Sequence, residues 1–451
     1  MQPQNTEQLL TQHFRRPKAI AVTADLSHDS DYFRFGSEAI CYEYSADIRA
    51  IRETDKVHVA SHLHRNGSTV QLPLDPVQSV DNLRFERYVA KATRGHKKLL
   101  TKTAFRNMYY LVRPYMPVAI RKQFQKAYLR GWDKIPFPAW PVDRTVENIL
   151  EQLLVCEMRT RNVKKVPFVW FWPEGAPSCA IVTHDVETSS GVEFCPHLMD
   201  LNDSFGIKAS FQIVPEERYP VPPSFLENIR KRGFEVNVHD LNHDGHLFSD
   251  RAEFLRRAER INGYARQFGA VGFRSAVLYR NLDWYDGLDF SYDMSVPNVA
   301  HLDPQRGGCC TILPFFAGKI LELPVTTTQD YSLFHILHDY SIRLWKQQIS
   351  LIQEKHGLIS FVIHPDYLIA ERARRVYAEL LHYLSELRSQ GATWIALPSE
   401  VAAWWRLRSE LNLVNVGGSW RIEGRGSERA RIAYAVLAND ALTYEIDRAS
   451  A

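Results

Sequence analysis

Residues 179–246 read CAIVTHDVETSSGVEFCPHLMDLNDSFGIKASFQIVPEERYPVPPSFLENIRKRGFEVNVHDLNHDGH, and the reading of this stretch decides the fold. Three apolar runs of strand length, CAIVT (179–183), ASFQIV (209–214) and FEVNV (234–238), are each followed by a longer amphipathic segment, at 196–205, 223–232 and 251–268. Strand-length runs alternating with helix-length ones predict βα units and a parallel sheet. Later runs at 320–325, 358–363 and 393–397 continue the pattern, with 340–356 and 371–390 as the helices between them. About seven strands are therefore expected, enough for an α/β fold curled into an irregular (β/α) barrel.

Around this core the sequence divides into three parts. Residues 1–165 are expected to form an N-terminal α+β extension, 166–405 the barrel, and 406–451 a small β-rich C-terminal tail suggested by Gly-punctuated patterns such as SWRIEG and IAYAVLA. Within the extension, 18–80 alternates short apolar runs with polar punctuation, which predicts short strands and turns. Residues 91–134 carry twelve Lys or Arg against the single acid Asp133, interleaved with Phe105, Tyr109, Tyr110, Tyr115, Phe124, Tyr128 and Trp132. Amphipathic helices with solvated basic faces account for this segment; so does a surface that touches anionic membrane headgroups or an anionic glycan.

Composition narrows the classes of function. The 55 Lys and Arg nearly balance 52 Asp and Glu, so no nucleic-acid partner is expected from the net charge of +3. Six cysteines without CxxC spacing fit a reducing compartment. The first 17 residues lack the apolar stretch of a secretory signal, and no run approaches the roughly 18 apolar residues of a membrane span. A cytoplasmic protein, peripheral to the membrane at most, is expected.

The residues that carry chemistry lie at predicted strand ends, where parallel α/β folds hold their sites. Side chains alternate along a strand, so Asp185 and Glu187 in THDVE project to the same side, and two adjacent carboxylates favour a metal or an acid/base pair. His239 and His243, four apart on a helical turn, could offer both imidazoles to one ion. With Glu187 they make a set of two His and one carboxylate that leaves coordination positions free; His246 ranks below Glu187 as a rival ligand. Arg274 closes a short apolar run and could pair with Asp185, Asp293 could orient a histidine, and His364, at the end of the strongest apolar strand, is a candidate general acid. In isolation each of these is as well explained by a surface pair or a structural strand-end residue.

In this order the pieces resemble the polysaccharide deacetylases, the carbohydrate esterase family 4-like proteins that share a nodulation-type deacetylase domain, over about residues 178–400. The resemblance implies a divalent metal, Zn²⁺ foremost, on Glu187, His239 and His243, with Asp185 as general base and His364 as general acid. Here THDVE replaces the usual TFDDG, and Glu187 takes the ligand place found two residues after the base in the family's DVD variant. Of the family's RxPY, Arg274 is kept while Ala276 and Val277 replace Pro and Tyr; the backbone N–H of Val277 would donate to the oxyanion. Asp293 matches the Asp that orients the catalytic histidine, and Val362 the residue lining the acetyl-methyl pocket. The implied activity is removal of an N-acetyl group from an amino-sugar glycan or glycolipid precursor. Two other readings are a carbohydrate-binding protein that has lost catalysis and a hydrolase of a non-sugar amide or imide.

Overall fold

A computed structural model of the chain describes residues 6–17, 22–24, 30–35, 39–44, 64–66, 69–72, 75–89, 129–439 and 441–447. Most of the basic, aromatic-rich segment, residues 91–128, lies outside them. In the N-terminal part, β1 (Val22–Ala24) pairs with β5 (Thr69–Leu72), which also pairs with β4 (His64–Asn66), while β2 (Ser30–Phe35) and β3 (Ala39–Tyr44) form a hairpin. The helices Thr6–Phe14, Pro76–Arg84 and Thr145–Thr160 pack together beside them.

The predicted parallel sheet is present and is wider than expected. It comprises β7 (Cys179–Val186), β8 (Ser210–Ile213), β9 (Glu235–His239), β10 (Gly272–Arg274), β11 (Tyr292–Asp293), β12 (Phe315–Ala317), β13 (Ile320–Glu322), β14 (Leu358–Ile363) and β15 (Trp394–Ile395). Their order is β12-β13-β11-β10-β9-β8-β7-β14, with β15 also on β7, and only β12 runs antiparallel to its neighbour. β7 and β14 are buried along their whole length, which is why they read as continuous apolar runs rather than as alternating ones. The chain between β13 and the helix Arg343–Gln353 closes the curl. Val325 bridges Pro297, the Thr327 N–H donates to Ser360 O at 3.3 Å, and the Thr326 hydroxyl donates to Leu358 O at 2.7 Å. This seam is irregular, because single backbone and hydroxyl hydrogen bonds replace a ladder there.

Alternation along the strands sorts the core into two. Ala180, Val182, Phe211, Val236, Val238, Phe273, Ile359 and Phe361 pack outward against the helices Ser189–Ser204, Arg251–Phe268, Arg343–Gln353 and Glu371–Ser389. Cys179, Ile181, Tyr292, Leu321, Leu323 and Leu358 have the opposite parity and merge with the N-terminal helices and the C-terminal segments. In this layer Tyr292 crosses over β10 and meets the Asn237 amide nitrogen on β9 at 2.9 Å. That crossing requires the glycine at 272, where a Cβ would lie 2.3 Å from the Tyr292 ring.

The C-terminal tail is β-rich as expected, with β16 (Asn412–Val416) pairing β17 (Ser419–Glu423) and β18 (Ile432–Ala438) pairing β19 (Ala441–Ile446). β18 also pairs antiparallel with β6 (Lys165–Val169), so a strand at the start of the expected barrel and one from the tail share one sheet. Trp170, Trp172, Trp404 and Ala433 are buried in the same apolar cluster as the helix Thr145–Thr160, which joins extension, barrel floor and tail.

Candidate metal centre and hydrolytic site

The inward parity of β7 carries Thr183 and Asp185 to the upper end of the barrel interior, and Glu187 follows just beyond the strand. Arg274 reaches them from β10 across two intervening strands. Its Nη1 donates to Asp185 Oδ1 and to Thr183 Oγ1, both at 2.7 Å, and its Nε donates to Met294 O at 2.9 Å. Burial alone would raise the Asp185 carboxyl, but the Arg274 guanidinium holds it below its ordinary value, so it stays ionised. The neighbouring His184 has outward parity, lies among Asn202, Phe211 and Tyr377, and is pushed down to about 3 by burial.

His239 ends β9 on the same inward face. Its Nδ1 lies 3.1 Å from Arg274 O, a geometry in which Nδ1–H donates to the carbonyl and the Nε2 lone pair is left for a ligand. His243 joins it by a route that differs from the expected helical turn. Residues 240–246 form a bent loop in which Asp240 (φ 55°) and His243 (φ 57°) are left-handed. The Asp240 carboxylate pins the bend by accepting the N–H groups of Leu241 at 2.6 Å and Ala276 at 3.1 Å. The two imidazole centroids end 4.8 Å apart.

Glu187 Oε1 lies 2.8 Å from His243 Nε2 and 3.7 Å from His239 Nε2, and donor atoms of the three residues fall within 4.8 Å of one another. Neither imidazole Nε2 makes an aligned hydrogen bond among the described residues, although both are buried. Buried imidazole nitrogens that lack an aligned hydrogen bond and converge on a carboxylate fit a divalent cation. His246 is outside this set; it is exposed, and its Nδ1 lies 3.3 Å from Ser249 Oγ.

His364 follows β14 and faces Glu187 Oε1 at 3.3 Å through Nε2. The residue that orients it is Asp330, which corrects the expectation for Asp293. Asp330 Oδ1 lies 2.6 Å from His364 Nδ1, and its Oδ2 accepts the His364 N–H at 2.8 Å. Burial opposes a charge on this imidazole, but Asp330 on one side and Glu187 on the other push His364 well above its ordinary value. Asp293 has the outward parity in β11, opposite to Tyr292. It accepts from the Tyr285 hydroxyl at 2.9 Å and from the Ser295 hydroxyl at 2.7 Å, away from His364. Asp330 escaped the sequence reading because it lies on the closing seam, in VTTTQD (325–330), which has neither strand alternation nor helical period.

Val277 and Leu278 are consecutive left-handed residues at φ 58° and 54°. For a β-branched residue this backbone costs about 1–3 kcal/mol and persists only where its surroundings enforce it. Leu278, Val325 and Val362 form a separate small apolar cluster, with Val362 two residues before His364. Tyr367 lies beside the His364 ring at 4.8 Å and packs in turn on His335 and Tyr331, at 5.0 and 5.8 Å; all three flanking rings are partly exposed.

No protein-family model matches the chain, and no curated protein matches it. Among solved structures it is similar to a protein from Mycobacterium smegmatis described as a polysaccharide deacetylase, at 17% identity over 55% of this chain and 96% of that one, with a TM-score of 0.43. It is also similar to Puue allantoinase, at 13% identity over 52% of this chain and 92% of that one, with a TM-score of 0.42. A third is the peptidoglycan deacetylase PdaC from Bacillus subtilis, at 13% identity over 51% and 93% of the two chains, with a TM-score of 0.33.

Proposed function

We propose that this chain is a metal-dependent hydrolase that removes an N-acetyl group from an amino-sugar glycan or glycolipid precursor. The observation that carries the reading is the convergence of Glu187, His239 and His243 within 4.8 Å, flanked by the Asp185–Arg274 pair on one side and the His364–Asp330 pair on the other. A divalent ion such as Zn²⁺, held by Glu187, His239 and His243, would supply Lewis acidity at the amide carbonyl and lower the pKa of water.

The chain's own residues account for the proton transfers. Asp185, kept ionised by Arg274, takes a proton from the attacking water. His364, kept protonated by Asp330, gives one to the leaving nitrogen as the C–N bond breaks, so that amide and water become acetate and amine. The Val277 N–H lies outside the bonds made by its neighbours, Ala276 N–H to Asp240 and Tyr279 N–H to Ala276 O, and it donates to the carbonyl oxygen as charge develops there. The cluster of Leu278, Val325 and Val362 takes the acetyl methyl. The aromatic rings beside His364 suit the apolar face of a sugar ring.

In this reading the protein works in the cytoplasm, where residues 91–134 contact an anionic membrane that presents a lipid-linked substrate. No helix among the described residues is long and apolar enough to cross a membrane.

Elemental analysis of the purified protein beside a His239→Ala variant tests the metal, and acetate release from N-acetylglucosamine oligomers tests the reaction. About one divalent ion per wild-type chain, lost in the variant, together with acetate release, is the expected result. Metal retention without acetate release would favour the carbohydrate-binding alternative, and turnover of small cyclic amides alone would favour the non-sugar hydrolase. No metal after zinc loading would refute the hydrolytic reading.

A further inference from the structure

The left-handed backbone at Val277 and Leu278 is held in place by neighbouring loops and, behind them, by the N-terminal extension. At its start, the Ala276 N–H donates to Asp240 at 3.1 Å. At its end, Gln305 brackets Arg280, accepting its N–H and donating to its carbonyl, both at 3.1 Å. Between these points the Arg280 guanidinium folds back, and its Nη1 donates to Leu278 O at 2.8 Å. The other edge of the guanidinium grips Glu86, with Nε donating to Oε2 at 2.7 Å and Nη2 donating to Oε1. Both side chains are almost fully buried, at 0% and 7% exposure.

Glu86 lies 194 residues before Arg280, just past the helix Pro76–Arg84 in the N-terminal extension, and is itself left-handed at φ 56°. Its Oε1 also accepts the Gly308 N–H at 2.6 Å, and the Tyr88 hydroxyl donates to Gly308 O at 2.7 Å. A Cβ at Gly307 would lie 2.6 Å from Glu86 Oε1, so a glycine is needed for the carboxylate to sit there. A guanidinium that held only the Leu278 carbonyl could swing about its stem; held along its other edge by both oxygens of a carboxylate, it is a fixed strut.

We propose that Glu86 is a positioning residue of the hydrolytic site, acting through Arg280 to fix the 277–278 backbone so that the Val277 N–H faces the reacting carbonyl. The extension thereby completes the site. The inference rests on the role assigned to Val277 in the deacetylase reading.

The test uses zinc-loaded, full-length wild type with Glu86→Gln, Glu86→Asp and Gln305→Ala. Gln305→Ala loosens the same anchor should the Glu86 variants fail to fold. For Glu86→Gln, kcat for acetate release is expected to fall ten- to a hundredfold, with KM within threefold and metal content unchanged. Glu86→Asp should recover part of the loss, and Gln305→Ala should cost three- to tenfold. In ¹⁵N-valine-labelled protein, the Val277 amide signal, assigned through Val277→Ala, should shift on titration with acetate in the wild type and stay still in Glu86→Gln. A lowered Tm with unchanged kcat would make the strut purely structural and overturn the proposal, as would a wild-type Val277 signal indifferent to acetate. A wild type that responds to acetate at Val277 but releases none would sink the deacetylase reading and leave the positioning role standing.

Discussion

Replacing Asp330 by Asn keeps the shape of the side chain and removes its charge, which isolates what the carboxylate does for His364. Asp330 makes two hydrogen bonds to that residue, 2.6 Å from the ring Nδ1 and 2.8 Å from the backbone N–H. Asn has one oxygen and can keep the backbone bond, but it then turns its NH₂ toward Nδ1. The lost interaction is a buried, charge-assisted hydrogen bond to an imidazolium, worth about 1.5–3 kcal/mol. If His364 acts as the general acid, kcat for acetate release near neutral pH should fall by about 10- to 150-fold. Metal content should not change, because Asp330 is outside the donor set. Asp293→Asn is the matched control. Its carboxylate serves Tyr285 and Ser295, so a shift in Tm with kcat within about threefold is expected. A larger kcat loss in Asp293→Asn than in Asp330→Asn would refute the assignment of Asp330 as the orienting acid.

Three further expectations follow from the packing. Arg274→Met leaves Asp185 as an uncompensated buried charge and should cost about 3–5 kcal/mol in urea unfolding, and adding Asp185→Asn should recover part of that loss. Burial pushes the Glu147 carboxyl up to about 7, against the opposing hydrogen bonds from Thr311 and Ile312. The folded state therefore holds a proton that the unfolded chain releases from about pH 4.5, so the contribution of Glu147 to stability should fall between about pH 4.5 and 7 and be constant above. The difference of about 2.5 between folded and unfolded values amounts to roughly 3 kcal/mol, and Glu147→Gln should flatten the slope when unfolding is followed across that range. Ala433 is fully buried in β18 between β6 and β19, so Ala433→Asp should lower stability by about 3 kcal/mol or more within one cooperative transition. A separate early transition confined to the tail would show that it folds on its own.

Much of the barrel and the donor set was legible in the amino-acid sequence because it depends on local periodicity. CAIVT and LISFVI are largely apolar on both faces, as strands buried on both sides tend to be, whereas FEVNV alternates, with Glu235 and Asn237 on the face that His239 shares; alternation then places Asp185 and Glu187 together whatever the rest of the chain does. His239 and His364 follow from the same rule at the ends of β9 and β14.

Alternation cannot say which face of a doubly buried strand is the inside. In β11 both Tyr292 and Asp293 are buried, and only closure of the sheet turned Tyr292 inward and Asp293 toward Tyr285. The HxxxH spacing put His239 and His243 within reach of one another, but a loop pinned by Asp240 made the approach instead of a helical turn. Asp330 on the seam, Glu86 in the extension and the pairing of β6 with β18 join residues 34, 194 and more than 260 positions apart. Such contacts leave no local pattern, since their partners are chosen by how the packed layers meet; the tertiary structure alone decided them.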